Sequence, residues 1–209
     1  MEDKQFTDSP LNADQTDALQ EIVNIGMGRA GEQLANIFDN FVELSIPKIV
    51  FSQADKLAET ISNIVNPESD ISAVRQGFFS HWQGEAIAIF SQPDCNQLAH
   101  QMGYREDINN DLEMELLLDV SNILIGACLN GIAHQLGLNL NYSQPALMCK
   151  HSPISSLFDT SSLGHEQVLV LEVFFKLENV DFTAHLVMIM AEGSISQMRQ
   201  DLDAFLENI

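Results

Sequence analysis

Two stretches of the chain share one pattern of apolar and polar positions. Asn12 to Pro47 can be laid on Asn110 to Pro145 without a gap, at an offset of 98 residues. Eight of the 36 aligned positions are identical, and they include asparagine, glycine and proline as well as apolar residues. A merely similar hydrophobic pattern would not supply such pairs, so the pattern indicates an internal repeat.

Each repeat is predicted to open with a long helix. Asn12 and Asn110 are each followed three residues later by Gln or Glu, which is typical of a capping box with asparagine in the cap position. Apolar residues at helical spacing predict helices from these caps to about residues 39 and 135. Gly137 is a stop signal for the second helix.

The remainder of each repeat predicts strands and a short helix. The predicted strands lie at 42–51 and 138–149, the hairpins at 71–91 and 168–190, and the short helices at 93–102 and 194–206. The residues 152–164 are predicted to form a loop. The order helix, strand, strand, strand, helix therefore occurs twice.

This order predicts an α+β fold with pseudo-two-fold symmetry, in which two long helices pack on a sheet of about six strands. Each half alone offers only a thin core for about 100 residues. We therefore expect a single domain over residues 12–209, made of repeats at about 12–105 and 110–207, after a disordered N-terminus at 1–11.

Charge and composition exclude several classes of partner. Nine basic and thirty acidic residues give a formal charge of −21, which disfavours binding to nucleic acid or anionic lipid. The N-terminus lacks the apolar segment of a signal peptide, and the longest apolar runs are too short to cross a bilayer, so we expect no membrane insertion. Three dispersed cysteines (Cys95, Cys128 and Cys149) suggest reduced thiols and a cytoplasmic location.

A polar stripe recurs on both predicted long helices. Each stripe has acidic residues at positions i and i+4 and an asparagine at i+7, and a proline follows the asparagine by 23 positions. These residues are Asp17, Glu21, Asn24 and Pro47 in the first repeat and Glu115, Asp119, Asn122 and Pro145 in the second. At about 100° per residue such side chains share one narrow face of a helix. That face is either a solvated surface or a site for a partner, and its duplication favours a site.

The pattern Asp17-x3-Glu21-x2-Asn24-x22-Pro47 resembles the signature of the CheC/CheX/FliY phosphatases of chemotaxis. The resemblance covers about residues 12–207, with Asp119 where the second copy of the signature would carry a glutamate. It implies two sets of site residues. The catalytic residues would be Glu21, Asn24, Asp119 and Asn122, and the binding residues Asp17, Glu115, Pro47 and Pro145.

The resemblance also implies an activity. These proteins hydrolyse the aspartyl phosphate of a CheY-type response-regulator receiver: the asparagine orients the attacking water, and the acidic residue docks the receiver's lysine. The receiver supplies the Mg²⁺, so no cofactor or metal ligand is expected in this chain. Two alternatives of the same fold remain, a module that binds the receiver without hydrolysis and an adaptor for the receptor deamidase CheD.

Two other sequence patterns do not predict a binding or catalytic site. Gly26, Gly28 and Gly31 fit the pattern GxGxxG of dinucleotide sites, but that pattern needs a preceding strand. Here it falls inside a predicted helix, which indicates close helix packing. The six histidines show no paired-ligand spacing, so no metal site is predicted.

Overall fold

The computed structural model describes residues 10–65, 70–91, 95–104, 109–157, 167–178, 180 and 182–207. In this part of the chain the helices are α1 (Ala13–Phe38), α2 (Leu57–Val65), α3 (Cys95–Gln101), α4 (Asn110–Gln135) and α5 (Glu192–Glu207). The strands are β1 (Val42–Leu44), β2 (Lys48–Gln53), β3 (Ile71–Ser80), β4 (Gly84–Ser91), β5 (Leu140–Tyr142), β6 (Ala146–Ser152), β7 (Gln167–Leu177) and β8 (Thr183–Ala191). The predicted α+β class is confirmed.

The two long helices begin at different kinds of cap. Asn12 forms the predicted capping box with Gln15. The second prediction was wrong by one residue, because Asn109 is the cap and Asn110 is already helical. The Asn109 side chain accepts hydrogen bonds from two backbone N–H groups of the first turn, whereas the Asn110 side chain accepts one from Lys150.

The strand that follows each long helix is interrupted. The predicted single strands at 42–51 and 138–149 are each two short strands, separated by residues 45–47 and 143–145. Each gap contains a Ser-x-Pro sequence, and proline cannot donate a hydrogen bond to a strand ladder. Both pieces of each pair still contact one neighbour, β7 for β1 and β2, and β3 for β5 and β6.

The eight strands form one antiparallel sheet in which strands of the two repeats are interleaved. The order is β1-β7-β8-β4-β3-β5, with β2 and β6 extending its two edges. The hairpin of the second repeat therefore pairs with the strands that follow α1, and the hairpin of the first repeat with the strands that follow α4. At the centre, β4 pairs with β8 from the other repeat.

Helices cover both faces of the sheet. The larger core lies under α1, α3, α4 and α5, and a smaller one lies on the opposite face under α2. Helix α2 was not predicted, although Leu57, Ile61 and Val65 recur every four residues and are all buried. In the predicted loop, residues 154–156 form one turn of 3₁₀ helix.

Two further features bear on the expectations from sequence. Most of the N-terminal stretch that was expected to be disordered, residues 1–9, lies outside the described residues, but Leu11 is buried in the larger core. Helix α4 is the one helix in the described part of the chain that is long and apolar enough to cross a membrane, and 67% of its most apolar window is buried inside the fold. It therefore resembles the core helix of a globular domain.

The long helices approach each other closely at two glycines. A Cβ atom on Gly26 would lie 2.8 Å from the backbone carbon of Gly131, and one on Gly131 would lie 2.3 Å from the Gly26 oxygen. The close packing predicted for the glycine motif is thus confirmed at Gly26. A Cβ on Gly28 would meet nothing within 4 Å, so this glycine serves no packing need.

Candidate functional site

The first polar stripe lies on the outer face of α1. Asp17, Glu21 and Asn24 are all exposed, as their helical spacing predicts. Ile22 and Val23, on the other side of the helix, are completely buried. Among the described residues none makes a hydrogen bond or ion pair with the Glu21 carboxylate, so this group is available to a partner's cation.

A glutamine links Asn24 to the loop between β1 and β2. Gln20 Nε2 donates to Asn24 Oδ1 at 3.4 Å and to the Pro47 carbonyl at 3.3 Å. Both distances are long for N–H···O hydrogen bonds. The Asn24 carboxamide is therefore oriented, but only weakly.

The second stripe has the same form on α4. Glu115, Asp119 and Asn122 are exposed. Gln76 Nε2, on strand β3, donates to Asn122 Oδ1 and to the Ser143 carbonyl, both at 2.9 Å. Each asparagine is thus joined to the loop that carries the proline of its motif, by a glutamine from a different element in each half.

The hydrogen bonds of Gln76 determine how the Asn122 carboxamide is turned. The Ser143 carbonyl can only accept, so Gln76 must present its NH₂ group there, and the second N–H of that group then points to an acceptor on Asn122. The Asn122 oxygen keeps one lone pair, and its NH₂ group remains free to donate. Such a group can accept from a water molecule and donate to a phosphoryl oxygen.

In the second stripe, Asp119 already accepts a hydrogen bond from within the chain. The Tyr104 hydroxyl donates to Asp119 Oδ2 at 3.0 Å. Desolvation, together with the hydrogen bond to Asp119 and the charges of Asp119 and Glu115, raises the pKa of Tyr104, so the hydroxyl keeps its proton at neutral pH. A partner's cation must share Asp119 with this hydroxyl, whereas Glu21 in the first stripe carries no such contact.

The two prolines lie in the loops beside the asparagines. Pro47 is buried and Pro145 is half-buried. The loops that contain them present the carbonyls of Pro47 and Ser143 to Gln20 and Gln76. They shape the site beside each asparagine and offer little side chain to a partner.

Sequence reasoning missed Gln20, Gln76 and Tyr104. Gln20 lies one helical turn before Asn24, so its spacing could have shown it. Gln76 is 46 residues from Asn122 in sequence and reaches it only through the pairing of β3 with the strands after α4. Within the described residues, no group of three or more His, Cys, Asp or Glu side chains is placed to hold a metal ion.

Comparison with known proteins bears on the chain as a whole. No family profile matches the chain. The CheY-P phosphatase CheC of Bacillus subtilis (strain 168) is 23% identical over 211 residues, which cover 94% of this chain and 97% of the relative. The similarity therefore spans both stripes and nearly the whole of both proteins.

Solved structures show the same fold. FliY of Thermotoga maritima superimposes with a TM-score of 0.69 at 15% identity, covering 94% of this chain and 99% of FliY. The FliM middle domain from H. pylori gives a TM-score of 0.60 at 9% identity, covering 91% of this chain and 99% of that domain. At these identities the structural likeness establishes the fold alone.

Proposed function

Because this chain resembles the CheC/CheX/FliY family in sequence and shares its fold, we propose that it is a phosphatase of the aspartyl phosphate on a CheY-type receiver. One observation carries the proposal. The acid–asparagine stripe occurs on both long helices, and both asparagines are exposed with their carboxamides held by a glutamine.

The proposed chemistry needs orientation more than basicity. Phosphoryl transfer has a loose transition state, so positioning the attacking water contributes more than deprotonating it. The asparagine oxygen accepts a hydrogen bond from the water, whose oxygen attacks phosphorus while the bond to the aspartyl oxygen breaks. The products are inorganic phosphate and the free receiver aspartate. A neutral carboxamide suits this position because a carboxylate would repel the anionic phosphoryl group.

The other groups have docking roles in this proposal. Glu21 and Asp119 lie about one turn before their asparagines and would pair with the receiver's lysine. Asp17 and Glu115 extend the same acidic face. The Mg²⁺ belongs to the receiver, so no step uses a metal bound to this chain. The three cysteines are free thiols, which suits the reducing cytoplasm where such receivers act.

A second candidate function is binding without hydrolysis. The fold of this chain is also that of a FliM middle domain, and flagellar switch proteins of this fold are expected to bind the phosphorylated receiver without hydrolysing it. An adaptor for CheD is a further form of this candidate, for which the described residues provide no specific surface. Hydrolysis by the isolated protein separates the enzyme from both.

The test is the loss of phosphate from a phosphorylated CheY-type receiver, with the wild type and with variants of the two asparagines. We expect Asn24→Ala to reduce the rate more than Asn122→Ala, because docking by Glu21, which is longer than Asp119 and not shared with a tyrosine, should outweigh the weaker hydrogen bond that orients Asn24. The double variant should lose on the order of a hundredfold in rate, the effect of misplacing a reacting water by about 1 Å.

A matched control is Asn36→Ala. Asn36 is exposed on α1 away from the stripe, so its replacement should leave the rate and the fold unchanged. Full activity in the double variant would remove the enzyme proposal and leave the binding module. A greater loss from Asn122→Ala alone would reverse only the ranking of the two sites.

A further inference from the structure

A surface groove opens beside the first asparagine and has no counterpart in the proposed mechanism. It has a volume of about 430 Å³ and runs from Asn24 between the second half of α1 and residues 41–47. Phe41 and Ile46 line it, and they are 64% and 78% exposed. Large apolar side chains so exposed beside a cavity mark a contact surface.

The second repeat carries bulkier residues at two of the positions that line this groove, although several other lining positions are identical in the two repeats. Leu129 and Tyr142 stand where the first repeat has Gly31 and Leu44. The Tyr142 hydroxyl crosses to α4 and donates to Asn130 Oδ1 at 2.6 Å, and burial raises its pKa to about 12. The tyrosine therefore occupies the space that corresponds to part of the groove.

The rim of the groove is also specific to the first repeat. The positions of Phe41 and Ile46 are taken in the second repeat by Asn139 and Gln144, which are polar and exposed. Exposed apolar residues in one repeat only are not needed by the shared fold. The difference indicates that the first site makes a contact that the second does not.

We propose that this groove receives an apolar side chain of the phosphorylated receiver itself and that this contact increases the affinity of the first site for the receiver. This inference rests on the proposed function. Stable protein interfaces bury about 800 Å² on each partner, far more than one acid–asparagine stripe provides. Since Asn24 lines the groove, a receiver whose phosphoryl group lies at Asn24 would be placed directly beside the groove.

The acidic residues near the groove limit which residues of the receiver can lie beside it. Glu32 lies in the groove wall, and Glu21 is exposed on the same helix. The apolar side chain of the receiver should therefore be flanked by Lys or Arg and not by acidic residues. An apolar core within a polar rim is the usual anatomy of a protein interface.

The direct test is to fill the groove from the helix side with Gly28→Leu. A Cβ at this position meets nothing within 4 Å, and leucine favours the helix, so the variant should fold at least as well as the wild type. In an Asn122→Ala background, where only the first site acts, we expect KM for the phosphorylated receiver to rise about tenfold, as for loss of one anchor, with kcat little changed.

Gly126→Leu is the matched control. Gly126 follows Asn122 by four residues as Gly28 follows Asn24, and it too has open space at its Cβ position. In an Asn24→Ala background it should leave KM of the second site within about twofold. An equal rise in both would show simple crowding of the asparagine and would overturn the groove proposal.

Replacing the two rim residues by those of the second repeat provides an independent test. Phe41→Asn and Ile46→Gln give the first repeat the residues of the second, and each should weaken binding of a receiver activated with beryllium fluoride, measured by titration. Unchanged binding by these variants alongside normal hydrolysis overturns the groove proposal and leaves the phosphatase. Weaker binding by these variants, in a protein whose wild type shows no hydrolysis, overturns the phosphatase proposal and leaves the groove proposal. Self-association that these variants abolish, with receiver binding intact, would assign the groove to a second copy and overturn the proposal.

Discussion

The two asparagines occupy equivalent positions, but the residues that hold them are not equivalent. Ser143 exchanges two hydrogen bonds with the backbone of Gly77, as Ser45 does with the backbone of Phe174. The residue before Phe174 is Val173, so valine occupies in the second repeat the position of Gln76. Because no glutamine reaches Asn24 from the sheet, Gln20 on its own helix makes the link at longer distance.

We therefore predict that Gln76→Val impairs the second site through Asn122. Valine is the residue at the matching position, fits a strand, and removes both donated hydrogen bonds. In an Asn24→Ala background we expect kcat for receiver dephosphorylation to fall about tenfold, since alignment of the attacking water is lost, while KM changes little because Asp119 is untouched. Steady-state kinetics on the phosphorylated receiver would measure both.

A purely structural role for Gln76 would give a different result. It is 3% exposed and its own Oε1 has no partner among the described residues, so replacement could alter stability without affecting chemistry. The side-chain amide signals of Asn122 in NMR spectra should sharpen or shift only if the carboxamide is released. An unchanged kcat, whatever happens to the melting temperature, would show that Gln76 does not position Asn122.

The polar stripes and the local partner Gln20 could be predicted from the sequence, but the partners that come from other elements could not. The spacing of Asp17, Glu21 and Asn24 follows helical periodicity, which is local. Gln76 and Tyr104 depend on strand pairing and on the path of the chain before α4, which periodicity does not encode. The residues of a site that come from distant elements are thus visible only in the fold.

At the scale of elements, the contact between α1 and α4 depends on two residues without side chains. The Gly26 and Gly131 backbones touch, so any Cβ there would have to displace the backbone of the facing helix. Larger side chains at a helix contact hold the two helix axes farther apart, so the two glycines allow the stripe-bearing helices to pack closely.

We predict opposite effects for alanine at two glycines of α1. Gly26→Ala should destabilise the protein by about 1–3 kcal/mol through overpacking against Gly131. Gly28→Ala should stabilise it by up to about 1 kcal/mol, because alanine favours a helix interior and meets no atom there. Urea unfolding of both variants measures the difference directly, and equal stabilities would contradict the close contact.

Sequence patterns located the elements better than their ends. The long helices and hairpins were predicted because their periodicity extends over many residues. The cap of α4 was missed by one residue because Asn109 and Asn110 are both good caps and only the backbone distinguishes them. The short α2 was missed because nine residues give few turns of periodicity, although its Leu57, Ile61 and Val65 align on one face.

At the scale of the whole molecule, each repeat completes the sheet of the other. Strands β1 and β2 find their partner in β7, and β5 and β6 find theirs in β3. Neither repeat alone can pair the strands that follow its long helix. This exchange also delivers Gln76 of the first repeat to Asn122 of the second, so the second site is shared between the halves.

The exchange predicts that the protein unfolds as one cooperative unit. A half-chain of residues 1–105 would leave β1 and β2 without their partner β7, would deprive β4 of its second neighbour β8, and would expose apolar residues of both cores. Trp82, the single tryptophan, is 3% exposed in the first repeat, and its indole N–H donates to Asp201 Oδ2 of the second repeat at 2.7 Å. Its fluorescence therefore reports on the joining of the halves, whereas far-UV circular dichroism reports on all helices.

We expect both probes to give one urea transition with the same midpoint, as two-state unfolding requires. The isolated half-chain should show little helix by circular dichroism, and mixing it with residues 106–209 should restore the signal, since each half then supplies the missing strands. Two separated transitions, or a half-chain that folds alone with full helical signal, would mean that the repeats are independent domains. In that case Gln76 would reach Asn122 across a weak interface, and loss of that interface alone should reduce second-site kcat as Gln76→Val does.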